Sequence, residues 1–205
     1  MLSSYTSLKM KSQSEIARIL SRFVTPVYPV NSEIIEKLAE KAHWQKLSRT
    51  DALCVEEEPF NKVVWVAEGI FRVSRIMNGT DTTIAFGVEG DPFLSPDTYL
   101  YGNPSQLSFN PVTDGGIIHI SVDDFKELVA STELVMWFNK VLMRQIHALE
   151  NRYVWLGQQD AYTRYLRLIT LRPEVAANVP LKYIASYLGV TQAHLSRIRA
   201  KIVGK

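Results

Sequence analysis

Residues 181–205 read LKYIASYLGVTQAHLSRIRAKIVGK, the pattern of two short helices joined by a tight turn. Seven residues stand where a helix-turn-helix unit needs its core: Ile184, Ala185, Leu188, Gly189, Val190, Leu195 and Ile198. Ala185 is the small residue at the helix crossing, and Gly189 supplies the positive φ of the turn. Thr191 can accept a hydrogen bond from a free backbone N–H and so begins the second helix.

The second helix of this unit presents short side chains to the outside. These residues are Gln192, Ala193, Ser196, Arg197 and Ala200. Side chains of this length can reach base edges in a major groove. The pattern therefore predicts DNA binding, and the alternative is an ordinary helical hairpin with a solvated basic face.

Charge is segregated along the chain, although the total is only +2. From Val175 onward there is no Asp or Glu, while five Lys and Arg residues give +5. The first 174 residues carry 18 basic and 21 acidic residues, or −3. A basic end on a mildly acidic body is typical of a nucleic-acid-binding protein, because phosphate neutralisation supplies most of the non-specific affinity.

Length and composition limit the other possibilities. A chain of 205 residues with 46% apolar residues can bury a substantial core, and we expect one larger and one small domain. The single Cys54 excludes an internal disulfide and a cysteine-held iron–sulfur or zinc site. No apolar run is long enough to span a membrane, and residues 1–20 lack a signal-peptide pattern. The expectation is a cytoplasmic protein without a membrane partner.

Three changes of hydrophobic period organise the rest of the chain. Ser14 to Phe23 and Ser32 to Ala42 have helical periodicity, the second opening with Asn31 or Ser32 as a cap. From His43 to about Ser121 the period is two, and Asn78-Gly79 is a strong hairpin signal. Short strands with frequent glycine turns predict an antiparallel β-roll of jelly-roll type within an α+β fold.

After Val122 the pattern is helical again to Gly157, with one break near Ser131. A stripe with spacings of three and four predicts a coiled-coil seam, and these seam residues are Val135, Phe138, Leu142, Ile146, Leu149, Tyr153 and Leu156. A helix packed on its own β-domain would show a similar stripe. Since this helix is apolar on more than one face, we expect one face to cover the roll and another to form a homodimer.

The order of these parts resembles the Crp/Fnr superfamily of bacterial transcription regulators, which has a cyclic-nucleotide-binding-type sensor. The segment VPLKYIASYLGVTQAHLSRIRAK is similar to the form in Bacteroidetes-type members, and the resemblance is specific from Asp160 to Lys201. It implies base-edge contacts from Thr191, Gln192, Ala193 and Arg197. It implies phosphate contacts from Lys182, Arg199 and Lys201.

The resemblance also implies a division into domains. Residues 1–130 would form the cyclic-nucleotide-binding-like sensor, 131–158 the long dimerisation helix and 159–205 the helix-turn-helix domain. The implied partners are double-stranded DNA, a second copy of the chain, RNA polymerase and a small effector. Neither a cofactor nor a metal is expected. Family members commonly continue into a β-hairpin wing, whereas this sequence ends three residues after Ile202, so fewer phosphate contacts are expected.

The sequence departs from the family at the effector site. Members that bind cyclic AMP have a Gly-Glu pair for the ribose and an Arg-Ser pair for the phosphate. Here Ser95-Pro96 and Ser105-Gln106 occupy those places, and no Lys or Arg occurs between Arg75 and Lys126. Because a buried phosphate needs charge-assisted donors, an effector other than cyclic AMP is expected. Four aromatic residues can line the effector pocket: Phe86, Phe93, Tyr99 and Tyr101. The alternative is that these residues belong to the hydrophobic core, which is the commoner role of aromatic residues in strands.

No enzyme motif is present in the sequence. The four histidines, His43, His119, His147 and His194, have no metal-ligand spacing, and neither a phosphate-binding glycine loop nor a nucleophile elbow occurs. Two functions stay open: a DNA-binding transcription regulator, or a ligand-sensing or protein-interaction module whose C-terminal helices dock a protein partner.

Overall fold

The computed structural model describes residues 11–130 and 132–203. Three earlier expectations concern residues outside these ranges: the signal-peptide analysis of residues 1–10, the helix break near Ser131 and the charge of Lys205. The helices within these ranges are α1 (Gln13–Val24), α2 (Ser32–Lys41), α3 (Pro96–Tyr101), α4 (Val122–Val129), α5 (Thr132–Gln158), α6 (Ala161–Leu171), α7 (Pro173–Asn178), α8 (Leu181–Leu188) and α9 (Gln192–Val203). The strands are β1 (His43–Leu47), β2 (Lys62–Glu68), β3 (Phe71–Met77), β4 (Thr80–Gly87), β5 (Pro92–Leu94), β6 (Ser108–Pro111) and β7 (Gly115–Ser121).

The strands form two antiparallel sheets in the orders β1-β7-β2-β5 and β4-β3-β6. Asn78 and Gly79 join β3 to β4 with φ values of 51° and 75°. Two consecutive positive φ values are the type I′ geometry that matches strand twist, so the hairpin predicted at this dipeptide is present. The α+β class with an antiparallel roll and a long helix is confirmed.

The first core lies between the β1-β7-β2-β5 sheet and the helices that cover it. Trp65 of β2 and Trp137 of α5 pack with ring centroids 5.8 Å apart, and Phe125 of α4 meets both edge-on. All three side chains are buried, as are the apolar faces of α1 and α2. Ser12 caps α1 through a reciprocal capping box with Glu15. The helical segment that precedes the roll is therefore part of its core.

A second core fills the space between the two sheets. Phe109 stacks on Phe93 at 4.1 Å and on Phe71 at 5.1 Å, and Cys54 is buried in the same cluster. Burial raises the pKa of the Cys54 thiol, so it remains protonated at neutral pH. These stacked rings fill the inside of the roll with side chains.

The third core belongs to the C-terminal helices. Buried residues of α6 to α9 meet Ile70, which lies between β2 and β3, so the C-terminal helices contact the roll. On either side of the expected break, α4 ends at Val129 and α5 begins at Thr132. How the chain divides into domains stays a prediction.

Two further observations concern the described residues alone. None of their helices combines the length and the apolar character needed to cross a membrane. Nor does any group of three or more His, Cys, Asp or Glu side chains among them have the arrangement of a metal site.

Candidate nucleic-acid interface and effector sites

The turn between α8 and α9 has the geometry that the sequence predicts. Gly189 ends α8 with φ 67°, and its N–H points to the carbonyls of Ala185 and Ser186. A residue with a Cβ would be strained in this left-handed conformation. On the other side of the turn, the Thr191 hydroxyl accepts a hydrogen bond from the His194 N–H at 3.2 Å. An αL glycine thus ends α8, and a threonine cap begins α9.

Five of the seven residues expected in the core of this unit are fully buried. They are Ile184, Ala185, Leu188, Leu195 and Ile198, none of them more than 5% exposed. Val190 is partly buried against them. The two helices therefore hold each other through a specific apolar contact, and α9 is fixed in orientation.

The opposite face of α9 is open. Every residue of the expected base-reading set is exposed, namely Thr191, Gln192, Ala193, Ser196 and Arg197. The residues expected at phosphates, Lys182, Arg199 and Lys201, are exposed as well. Within residues 11–130 and 132–203, no carboxylate pairs with any of these cations. Their charges are available for an outside ligand.

The first helix of the unit, α8, docks on the edge strand β4. The β3–β4 register shifts between Val73 and Ser74, which makes Ile84 of β4 an extra residue. Such a bulge leaves backbone groups outside the ladder. The Thr83 N–H donates to the Ser186 hydroxyl at 2.9 Å, and the carbonyls of Thr83 and Ile84 accept from Arg152 of α5. The irregular edge strand thus connects the roll to both α5 and α8.

Aromatic contacts extend this docking. The guanidinium of Arg72 lies 4.1 Å from the ring of Tyr183, and Phe86 meets Tyr187 with centroids 5.4 Å apart. The guanidinium of Arg152 also lies over the ring of Tyr187, 4.4 Å from its centroid. Burial lowers the pKa of Arg152 from its usual value. The helix-turn-helix unit is therefore held on the β4-β3-β6 sheet by aromatic and cation–π contacts together.

The seam residues divide into two groups. Val135 and Phe138 pack into the first core of the roll. The other five are exposed, by 40% for Leu142 and by 84% for Tyr153. They form a continuous apolar stripe on the distal part of α5, and the stripe consists of Leu142, Ile146, Leu149, Tyr153 and Leu156.

The serines at the effector positions are engaged by their own loops. Ser95 is buried and caps α3 by accepting from the Thr98 N–H. Ser105 is also buried, and its hydroxyl donates to the Leu107 carbonyl at 2.7 Å while accepting from the Leu107 N–H. Both hydroxyls have local structural roles in this conformation.

The structure does not bring the expected pocket aromatics together. Phe86 packs on Tyr187, and Phe93 lies inside the second core. Tyr99 contacts Phe138 of α5 at 5.4 Å, whereas Tyr101 is 73% exposed. The four rings therefore have four different surroundings.

An open cleft does lie beside Gln106, and it contains a cation from another strand. We call it the roll cleft; it has a volume of ≈ 660 Å³ and is lined by Glu57, Arg75, Asp97, Asn103, Pro104 and Gln106. Arg75 of β3 donates to the Gln106 side chain at 2.9 Å and pairs with Glu56 at 3.7 Å. The gap in cations between Arg75 and Lys126 concealed this contact, because β3 and β6 are neighbours in space. Among the described residues that line the roll cleft, there are two carboxylates and one guanidinium.

Comparisons with known structures show which fold this is. CLP, a c-di-GMP-responsive global regulator of Xanthomonas campestris, is 12% identical with a TM-score of 0.69, over 85% of this chain and 92% of that one. FixK2 of Bradyrhizobium japonicum is 20% identical with a TM-score of 0.67, over 80% and 85%. A putative cyclic nucleotide binding protein of Ruegeria pomeroyi is 21% identical with a TM-score of 0.62, over 94% and 87%.

No protein-family model matches the sequence, and no curated protein matches it either. The structural likeness nevertheless covers most of each chain. The protein therefore has the Crp/Fnr-like cyclic-nucleotide-binding fold, as the order of its parts suggested.

Proposed function

We propose that the protein is a homodimeric DNA-binding transcription regulator of Crp/Fnr type. The observation that carries the proposal is the face of α9, where exposed polar side chains stand on a buried helix-turn-helix core. Arg197 can donate to a guanine edge and Gln192 to an adenine, while Lys201 and Arg199 neutralise phosphates. The Crp/Fnr-like fold supports this reading, because it combines a sensor roll with such a unit.

Dimerisation is the second part of the proposal. The exposed stripe on α5 has the three-and-four spacing of a coiled-coil seam. Two copies joined there would bring two α9 helices to successive major grooves, which matches a palindromic operator. The proposed partners are therefore a second copy and double-stranded DNA, with RNA polymerase as a further contact.

The experiment is a fluorescence-anisotropy titration with DNA fragments obtained from an unbiased selection. Affinity should fall steeply with salt, because bound phosphates release counterions, whereas a protein-docking surface of apolar contacts hardly responds. Arg197→Ala should cost about 1 to 3 kcal/mol and relax preference at one base pair per half-site. Arg18→Ala is the matched control, because Arg18 is exposed on α1, far along the chain from α9.

Lys201→Ala should weaken all sequences alike, since a phosphate contact carries no base information. If Arg197→Ala leaves both affinity and sequence preference unchanged, α9 is not the reading helix. Failure to select any fragment would favour the protein-docking function instead.

For the sensor, we propose that the roll cleft does not serve cyclic AMP or cyclic GMP. Arg75 is paired with Glu56, and Glu57 and Asp97 line the same cleft. A cyclic phosphate would meet more negative than positive charge there, so dissociation constants of about millimolar or weaker are expected. Isothermal titration tests this, and micromolar binding that disappears in Arg75→Gln would contradict it.

A further inference from the structure

A second cleft, of ≈ 300 Å³, lies where the distal part of α5 faces α6 and the end of α8. We call it the arginine cleft, after five of its lining residues: Arg144, Arg152, Arg164, Arg167 and Arg172. Among the described residues that line it there is no Asp or Glu. The charge of this cleft is thus opposite to that of the roll cleft.

Most of these cations lack an anionic partner. Only Arg172 forms an ion pair within the described part of the chain, with Asp91 at 3.1 Å. Arg152 and Arg164 donate to backbone carbonyls, and Arg167 lies over the ring of Trp155 at 3.8 Å. Guanidinium groups brought together without carboxylates repel one another, so an anion placed among them would be stabilised.

Two buried N–H donors of these arginines also lack acceptors. The Nε atoms of Arg164 and Arg167 are buried and have no acceptor among the described residues. A buried donor without an acceptor is costly, and such groups are rare in folded proteins. The guanidinium groups of Arg164 and Arg167 therefore keep donor capacity that the described residues do not use.

Apart from the arginines, His147 and Asn151, the wall of the cleft is apolar and aromatic. Trp155, Leu168 and Tyr187 contribute to it, and the volume of ≈ 300 Å³ is at the lower end of the range for small-molecule sites. The cleft thus pairs a cationic side with a surface that can pack against a planar group. We propose that the arginine cleft binds a small molecule with two or more phosphate charges, of about mononucleotide size.

Dimerisation through the seam would leave this cleft open. At about 100° per residue, Arg144, Asn151 and Trp155 lie about 180° to 220° around α5 from Leu142. Most of the cleft residues on α5 therefore face away from the exposed stripe, whereas Arg152 and Leu156, at about 280° and 320° from Leu142, lie at its margin. A ligand here would touch α5, α6 and α8 together, and its effect on DNA, which rests on the proposed function, would pass through those contacts.

The experiment is isothermal titration of the full chain with inorganic pyrophosphate and with adenosine 5′-diphosphate. We expect both to bind and the double variant Arg144→Gln/Arg167→Gln to weaken binding about tenfold or more, because charge-assisted hydrogen bonds are lost. Arg18→Gln removes the same kind of charge from an exposed site and should leave binding unchanged. Tighter binding of the nucleotide than of pyrophosphate would show that the apolar wall takes part, and equal binding that phosphate alone is recognised.

The single variant Arg144→Gln is included in case the double variant misfolds. Arg144 is exposed and donates to no described group, so the single variant should fold normally and still bind the probes more weakly. The proposal is overturned if neither probe binds, or if binding is the same in the double variant as in the wild type. It is also overturned if the Arg144→Gln variant alters dimerisation and not binding, because a second copy would then fill the cleft. DNA affinity without ligand is measured in parallel, so loss of this site and loss of DNA binding remain distinguishable.

Discussion

The two halves of α5 have the same apolar pattern and opposite surroundings. In the first half, Leu134, Trp137, Phe138 and Val141 are all buried against the roll. In the second half every side chain from Leu142 to Glu150 is exposed, although the apolar spacing continues. A repeat of three and four residues thus produces a helix with an apolar face, and the tertiary fold decides what that face meets.

This difference teaches that one sequence signal can serve two interfaces. The first half stabilises the protomer, because its residues are removed from water by the roll itself. The second half keeps large apolar side chains in water, including Ile146 at 48% and Leu149 at 57% exposure. Exposed apolar stripes are often interaction sites, which is why we propose this one as the dimer seam. Substitutions in the two halves should therefore have separable effects.

The largest expected effect is on the second half. Leu149→Glu would bury an unpaired carboxylate in each subunit of the proposed dimer, and each should cost about 3 to 5 kcal/mol. Because the two costs add, the dimer dissociation constant should rise by about 10⁴-fold or more, while the unfolding of the separated protomer changes little. Sedimentation equilibrium measures the association.

Ile76→Glu is a matched control for this substitution. Ile76 is 55% exposed near the β3–β4 turn, so it adds the same charge at a similarly exposed apolar site away from α5. It should leave association unchanged. A wild-type protein that sediments as a monomer at micromolar concentration would end the dimer proposal.

A substitution in the first, buried half of α5 should reduce the stability of the protomer strongly and affect dimer assembly less. Trp137 is 2% exposed and contacts Trp65 and Phe125, so Trp137→Ala would leave a cavity in the first core. The free energy of unfolding should fall by about 3 to 5 kcal/mol. Urea unfolding followed by circular dichroism measures it. Trp137→Phe should lower the free energy of unfolding much less. Phenylalanine keeps an aromatic ring in the core, and it removes an Nε1–H that has no acceptor among the described residues.

Local sequence signals predicted the elements better than their contacts. The Asn78-Gly79 turn, the Gly189 turn and the Thr191 cap each depend on a few neighbouring residues, and all three are present. The bulge at Ile84 depends on strand pairing, and no local residue indicates it. The sequence therefore predicted the helix-turn-helix unit but not where α8 docks.

The same limit applies to the charged sites. Arg75 reaches Gln106 only because β3 and β6 pair, a relation between residues more than thirty apart. Arg164, Arg167 and Arg172 would look like ordinary helix-surface cations without the facing α5. Spacing along one helix shows which residues share a face, whereas a cleft needs the relative position of two helices.

An intermediate effect should appear where the roll meets α8. Ser186→Ala would leave the Thr83 N–H without its acceptor, which should cost about 1 to 3 kcal/mol if water does not replace it. Hydrogen exchange should show faster opening of α8 and of the β4 edge. Ser196→Ala is the control, since Ser196 is exposed on α9 and should tolerate the change. Equal protection in Ser186→Ala and wild type would mean that the docking depends on the aromatic contacts alone.

The smallest expected effect is a pH dependence of the free energy of unfolding that arises from His119 in strand β7 of the roll and not from α5. Burial lowers the pKa of His119 to about 4 from 6.5, with Lys62 and His43 adding repulsion. As the pH falls from 6.5 towards 4, the unfolded chain binds the proton first, so the free energy of unfolding decreases across that window and levels off below it. Because the ring is only half-buried, solvent screening limits the loss to about 1 to 2 kcal/mol. Urea titrations across this range should show the slope in the wild type and a reduced slope in His119→Gln; an identical slope in both would assign the acid sensitivity to other groups.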